Sequence, residues 1–142
     1  MKKRTRKGQG FTIIEVIVIV VIIGIIATVI APRLFSRVGQ ARTSAAESGA
    51  ATLAQLVAAY HIDHGKPPRN AKLAEILWTK PSDVPDEEWE PYVNKLADLL
   101  DPWGNDYVLV IPGNVNIDFD IVSRGSDGQP GGEGDAKDII KP

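Results

Sequence analysis

The stretch GFTIIEVIVIVVIIGIIATVIAPR, residues 10–33, decides how the rest of the chain is read. From Phe11 to Ala31 its only strongly polar residue is Glu15. Those 21 residues make about 31 Å of α-helix, close to the thickness of a bilayer's hydrocarbon core. The β-branched run Ile13, Ile14, Val16 and Ile17 would suit a strand in water. In lipid an isolated segment satisfies its own backbone only as a helix. The reading is therefore one membrane helix, with Pro32 as a point where it can bend without ending.

On the N-terminal side, Lys2, Lys3, Arg4, Arg6 and Lys7 form a basic leader, and without these five the formal charge of −2 becomes −7. Positive charge confined to a leader excludes a basic nucleic-acid-binding domain. The positive-inside rule places Met1 in the cytoplasm and Pro142 outside, an asymmetry that Arg33, Arg37 and Arg42 weaken without reversing. Zero cysteines among 142 residues exclude a disulfide framework, thiol catalysis and a Cys-ligated zinc site. A signal peptide fits poorly: its apolar run is usually ~7–15 residues, and Ile30-Ala31-Pro32 is a poor cleavage site. An ordinary anchor has to explain Glu15, since an acid near a bilayer centre costs about 2.5–3.5 kcal/mol, somewhat less this near the end. Such a group calls for a partner. A free α-amino group on a neighbouring chain would serve, and a cut just before Phe11 would create one.

Gly10-Phe11-Thr12-Ile13-Ile14-Glu15 after a short basic leader resembles the prepilin signature shared by type IV pilins and type II secretion pseudopilins. The resemblance implies cleavage between Gly10 and Phe11 by a prepilin peptidase, N-methylation of Phe11, and a role for Glu15 in subunit registration within a filament. It divides the chain into a cleaved leader (1–10), a transmembrane and assembly helix (11–32) and a periplasmic globular domain (33–142).

Beyond Pro32, Leu34, Val38, Ala41, Ala45, Gly49, Leu53, Leu56 and Tyr60 recur at steps of three and four, the period of an amphipathic helix. Ala45, Ala46, Ala50, Ala51 and Ala54 are small enough for another element to approach closely. Gly65, Pro67 and Pro68 stop the helix, so one helix is expected from Phe11 to His64. Ala71–Trp78 reads as a short helix, Pro81–Pro91 as an acidic loop, and Val93–Leu100 as a short helix or an irregular segment. Tyr107–Ile111 and Asp118–Ser123 read as strands joined by a Pro112–Asn114 turn. A third strand is not evident.

Asp101-Pro102-Trp103-Gly104-Asn105-Asp106-Tyr107 reads physically as a turn, with Pro102 presetting φ, Gly104 permitting a tight bend and Trp103 burying area. Together with the prepilin start, the later Ser123-Arg124-Gly125-Ser126-Asp127-Gly128 and the acidic tail, it is similar to the major pseudopilin family of type II secretion systems. The middle of the chain departs from that family at Gly65-Lys66-Pro67-Pro68-Arg69 and in the loop Asp83–Pro91. The expected fold is α+β and pilin-like: a long N-terminal helix, half membrane and half amphipathic, packed on a small antiparallel sheet with a C-terminal calcium loop.

Asp127, Glu133, Asp135 and Asp138 fall within twelve residues that also hold four glycines. Spacing alone leaves two readings open, a solvated acidic loop and an oxygen cage for a hard cation. An EF-hand is excluded, because a strand precedes the loop, no helix is expected after it, and the twelfth position is Asp rather than Glu. The family resemblance implies a structural Ca²⁺ held by Asp127 and Asp138, then Asp135, with backbone carbonyls of Arg124 and Gln129; Lys137 weakens the case for the third carboxylate, and Glu133 lies outside the shell.

His61, Asp63 and His64 are the only constellation resembling a metal or acid–base site, and two imidazoles at a helix C-terminus already have a cause in its dipole. No nucleophile triad or phosphate-binding glycine loop stands out. The expectation is a non-enzymatic subunit of a homopolymer, the type II secretion pseudopilus, single-pass in the inner membrane and periplasmic at its C-terminus. Its implied partners are minor pseudopilins, the prepilin peptidase, the inner-membrane secretion platform and membrane lipid. The alternatives are a type IV or competence pilin, and a membrane-anchored periplasmic binding module.

Overall fold

The computed structural model describes residues 10–82, 84–85, 87 and 89–141. The leader up to residue 9, positions 83, 86 and 88 of the acidic loop, and residue 142 lie outside the described residues. The chain divides into two compact units, Met1–Val38 and Gly39–Pro142. Helix α1, Ile13–His64, runs through both, with Pro32 inside it.

In the first unit the helix begins at Ile13 rather than at the expected Phe11, because Thr12 acts as its cap. The Glu15 N–H donates to the Thr12 hydroxyl at 3.3 Å, and the Glu15 carboxylate accepts the Thr12 N–H and O–H, each at 2.8 Å. This reciprocal pairing is a capping box, which satisfies donors that the first turn leaves open. The aliphatic side chains from Ile13 to Ile30 are 47–81% exposed. By length and composition this stretch can cross a membrane.

In the second unit α1 buries Gly39, Ala46, Ala50, Leu53, Ala54 and Val57. The upper half of the expected stripe lies in the contact, since Leu53 is buried, Leu56 and Tyr60 pack against the core and Gly49 sits under the Tyr107 hydroxyl, whereas Leu34, Val38, Ala41 and Ala45 are exposed. The closest approach runs over Gly and Ala, where the backbone itself is the contact surface, while the large residues sit beside it. Ala50, Leu53, Ala54 and Val57 pack with Leu73, Ile76 and Leu77 of α2 (Leu73–Leu77), and with Leu99, Tyr107, Leu109 and Ile121. The expected Ala71–Trp78 helix thus shrinks to five residues, and Val93–Leu100 yields only a 3-10 turn, Leu96–Leu99.

Strands β1 (Val108–Val110), β2 (Asp120–Ser123) and β3 (Ile139–Lys141) form an antiparallel sheet in the order β1-β2-β3. Leu109 faces Ile121 and Ser123 faces Ile139 across the two ladders. The two expected strands are present but shorter, and the third comes from the last residues of the chain. The expected three-residue hairpin turn is a longer connection over residues 111–119, with a cis Ile111–Pro112 bond. Asp120, fully buried, explains that length. Its carboxylate accepts the backbone N–H groups of Asn114, Val115 (2.8 Å) and Asn116 (3.1 Å) and the Asn116 side-chain amide. Burial opposes its ionisation, yet the donors from Val115, Asn116 and Asn114 prevail and hold the carboxyl below its ordinary 3.8.

The sheet is fastened to α1 by Tyr107, whose buried hydroxyl donates to the Ala46 carbonyl at 2.9 Å. A Cβ at Gly49 would run into that hydroxyl. Alanine normally stabilises a helix by about 1 kcal/mol over glycine, but overpacking a core costs about 1–3 kcal/mol. Gly49→Ala is therefore expected to lower the thermal midpoint of the detergent-solubilised chain. Gly24→Ala, at a position with nothing within 4 Å among the described residues, should cause no loss; a Gly49→Ala protein as stable as wild type would contradict the packing. Asp120 sets a second expectation. Its folded pKa is lowered, so its stabilisation is complete above the unfolded value and drains away as pH falls through the folded one, below about pH 4. Denaturation between pH 7 and pH 3 should show Asp120→Asn less stable at pH 7 and losing less on acidification, whereas equal acid sensitivity would remove this role.

Candidate functional site

Two places collect the residues singled out in the sequence, the start of α1 and the loop between β2 and β3. At the first, Gly10 and Phe11 precede the helix and Phe11 is 80% exposed, so the Gly10–Phe11 bond lies just outside helical structure. Glu15 lies one turn later, its carboxylate already engaged by Thr12. The sequence carried a signal for this contact, since Thr-x-x-Glu is the capping-box pattern.

The second place is built on the turn after the 3-10 segment. Asp101, 5% exposed, is its organiser. One carboxylate oxygen accepts the N–H groups of Trp103 (3.0 Å) and Asn105 (2.9 Å), and the other accepts the Ser123 hydroxyl at 2.6 Å. Gly125 N–H donates to the same Ser123 oxygen at 3.3 Å, and the Asn105 amide donates to the Gly125 carbonyl at 2.8 Å. The turn therefore grips the end of β2 and the first residue of the acidic loop. Trp103, expected to be the anchor, is only half-buried. The missed residues are Asp101, Asn105 and Ser123; an Asx residue opening a turn was the available clue. Burial, and next to it the Asp101 charge, push the Tyr107 phenol up to about 12, so it remains a donor to α1 at any ordinary pH.

Beyond β2 the loop folds back on itself. Gly125 has φ +61 and lies so close to the Asp135 and Ala136 backbone that a Cβ would overlap it. Gly131 and Asp138 close the far end: the Asp138 N–H donates to the Gly131 carbonyl at 3.1 Å and the Gly131 N–H donates to Asp138 Oδ2 at 3.0 Å. The other oxygen, Asp138 Oδ1, is buried and has no hydrogen-bond partner among the described residues. A buried carboxylate oxygen without a donor is costly, and a cation would satisfy it. Asp127 Oδ1 accepts the Gln129 N–H at 3.0 Å. Arg124, half-buried, and the exposed Gln129 flank the 3-10 turn Gly125–Asp127. Asp135 points elsewhere: its carboxylate lies against Gly39 of α1, where a Cβ would strike it. Accordingly, no group of three His, Asp or Glu side chains among the described residues is gathered to hold a metal ion. Asp127, Asp138 and the Arg124 and Gln129 carbonyls are oxygen donors of the kind Ca²⁺ takes, and of the two carboxylates it is Asp138 that carries an unpartnered buried oxygen among the described residues.

Of His61, Asp63 and His64, the last two are engaged by aromatic side chains of the domain. Asp63 accepts the Tyr92 hydroxyl at 2.6 Å, and His64 lies 4.8 Å from Tyr60 and 5.9 Å from Trp89 between ring centres. Burial, followed by the bond to Asp63, pushes the Tyr92 phenol up to about 12.

Comparison with known proteins bears directly on both places. The prokaryotic N-terminal methylation motif matches residues 5–31, across the first. The family described as type II secretion system (T2SS), protein G, matches residues 33–142, across the second. The type II secretion system core protein G of Pseudomonas aeruginosa is 36% identical over 137 residues, covering 94% of each chain. That of Vibrio cholerae is 36% identical over 139 residues, covering 96% of this chain and 93% of its own. A crystal structure of the major pseudopilin from the type 2 secretion system of enterohaemorrhagic Escherichia coli superposes with a TM-score of 0.60 at 31% identity, covering 77% of this chain and 93% of that one. A methylation motif at the start, a family match over all that follows Pro32 and a shared fold agree: the chain belongs to the type II secretion system protein G family.

Proposed function

We propose that this chain is the major structural subunit of a type II secretion pseudopilus, polymerising from the inner membrane to drive export of folded proteins across the outer membrane. The observation that carries the reading is the methylation motif over residues 5–31 in the same chain as the protein G match over 33–142. The exposed aliphatic surface from Ile13 to Ile30 supports it, because such a surface is stable in lipid before assembly and against other helices after it. In this proposal residues 1–10 are removed by the prepilin peptidase, Phe11 is N-methylated, and Glu15 pairs with the new amine of a neighbour. Residues 11–32 are the membrane and assembly helix, single-pass, and 33–142 the periplasmic domain. The partners are further copies of the chain, minor pseudopilins and the inner-membrane secretion platform. The role is structural and needs no catalytic group.

Intact mass of the protein extracted from membranes of a host that has the peptidase should reveal a species beginning at Phe11 and heavier by one methyl group. A full-length mass in that host would overturn the proposal.

Ca²⁺ is the proposed structural ion of the β2–β3 loop. Asp138, through its orphaned oxygen, and Asp127 would supply the carboxylates, and Arg124 and Gln129 backbone carbonyls; Asp135 joins only if its side chain leaves Gly39. Bound there, the ion neutralises the loop's acids and fixes its backbone. At a concentration one hundred times its dissociation constant a ligand adds about 2.7 kcal/mol of stability. Calcium should therefore raise the thermal midpoint of the chelator-treated full chain by at least about 5 °C. Asp138→Ala should abolish that rise and Asp135→Ala should reduce it least. A midpoint unmoved by calcium or chelator would sink the assignment.

A further inference from the structure

The connection between β1 and β2 presents two aliphatic side chains to solvent, Val115 at 70% and Ile117 at 92% exposure. Single exposed aliphatics are ordinary. These two differ because their loop is pinned from beneath by Asp120, through the N–H groups of Asn114, Val115 and Asn116 and the Asn116 side chain. Gly113 tightens the turn further, since any Cβ there would overlap the Asn116 carbonyl. A loop ordered in advance loses little freedom on binding, and its apolar tip is what an interface core requires.

A cavity of about 400 Å³ opens elsewhere on the same domain, between the start of α2 and β1. Buried Leu73, Leu99 and Leu109 line it together with exposed Arg69, Lys72 and Asp106. Its mouth is thus apolar within and net positive. The loop over residues 113–118 carries one charge, Asp118, which lies 3.8 Å from Lys66 in an exposed pair. The aliphatic knob beside a carboxylate is complementary in chemistry to an aliphatic hole whose rim carries Arg69 and Lys72 against a single acid, Asp106.

We infer that the Val115–Asp118 loop of one subunit docks in the Arg69–Leu109 cavity of a second copy of this chain, with Ile117 against the leucines and Asp118 against Arg69 and Lys72. The inference rests on the polymer reading above and adds a specific contact to it. Knob and cavity are different surfaces of one chain, so a subunit that seats its knob keeps its own cavity for a third. Such a heterologous contact propagates instead of closing.

The chain contains no cysteine, which permits a direct test in the full-length membrane protein. Ile117→Cys combined with Asn70→Cys, at the cavity wall, should give a ladder of dimers, trimers and higher species on mild oxidation, whereas either single variant should give no ladder. Ile117→Asp should lower the yield of sedimentable filaments at least about tenfold with an unchanged melting midpoint, because the side chain packs on little of its own domain. Filaments that form in the double variant without a ladder, or form at wild-type yield in Ile117→Asp, overturn the contact alone. A wild-type chain that forms no filament overturns the polymer reading itself.

Discussion

Tyr107 reaches the Ala46 carbonyl through a gap that exists only because residue 49 of α1 has no side chain. The second unit is organised around that contact. It holds the entry to β1 against helix backbone, and the adjoining small residues Ala46, Ala50 and Ala54 keep the separation short enough for Leu109 and Ile121 to reach Leu53 and Val57. A sheet of three- and four-residue strands has little independent stability. Packing on α1 supplies what its ladders cannot. The phenol's high pKa has the same origin, since a hydroxyl buried against a helix and near a carboxylate has every reason to keep its proton.

Two buried carboxylates extend this order into the loops. Asp101 collects donors from its own turn and from Ser123, and Asp120 collects four from the β1–β2 connection. Charge-assisted bonds of this kind are stronger than neutral ones, and in a small domain they stand in for a larger apolar core. They also decide which surfaces are stiff. Asp101 acts through Ser123 and Asn105 on Gly125, where the acidic loop begins. Asp120 acts on the loop that exposes Ile117. The acidic loop and the Ile117 loop are thus each tied to a buried aspartate through short hydrogen-bonded chains.

Much of this architecture was legible in the sequence, for physical reasons that differ from element to element. The helix to His64 was readable because its apolar run and period extend over many turns and Gly65-Lys66-Pro67-Pro68 ends it. Strands β1 and β2 were readable from Val, Leu and Ile set between turn residues. Strand β3 was not: Ile139-Ile140-Lys141 is too short to show alternation, and its pairing depends on where the glycine loop delivers it. The helix stripe was right from Gly49 to Tyr60, as was the small face at Ala46, Ala50 and Ala54. Hydrophobic periodicity, however, carried the stripe down through Leu34 and Val38, which are exposed, whereas the buried position there is Gly39. At the acidic loop, the family resemblance joined Asp135 to Asp127 and Asp138 as implied ligands. The fold separates Asp135 from them by laying that carboxylate on Gly39, a contact between residues 96 apart that no local pattern contains. Asp101 opened a turn and could have been suspected, but Asp120 was invisible as a hub because an aspartate starting a strand looks the same in sequence whether its donors come from water or from protein.

The Thr12–Glu15 capping box bears on how a subunit with an acid in its membrane helix could wait and then assemble. In a lone chain the carboxylate accepts the Thr12 N–H and O–H, which lowers the cost of keeping it in lipid near the segment's end. While residue 10 is attached, the Phe11 nitrogen is an uncharged amide and offers a neighbour's carboxylate nothing that Thr12 does not already provide. Cleavage at Gly10, as proposed, turns that nitrogen into an ammonium. The attraction between opposite charges grows as the dielectric falls, so in lipid the neighbour's amine gains on the neutral donors of Thr12, and the advantage exists only after processing. Methylation keeps the charge while removing one N–H, leaving fewer ways to orient the pair. In the proposed assembly, leader removal would exchange an internal acceptor role for an external one, and Thr12, which holds the Glu15 carboxylate through its N–H and O–H, is the group the incoming amine would displace.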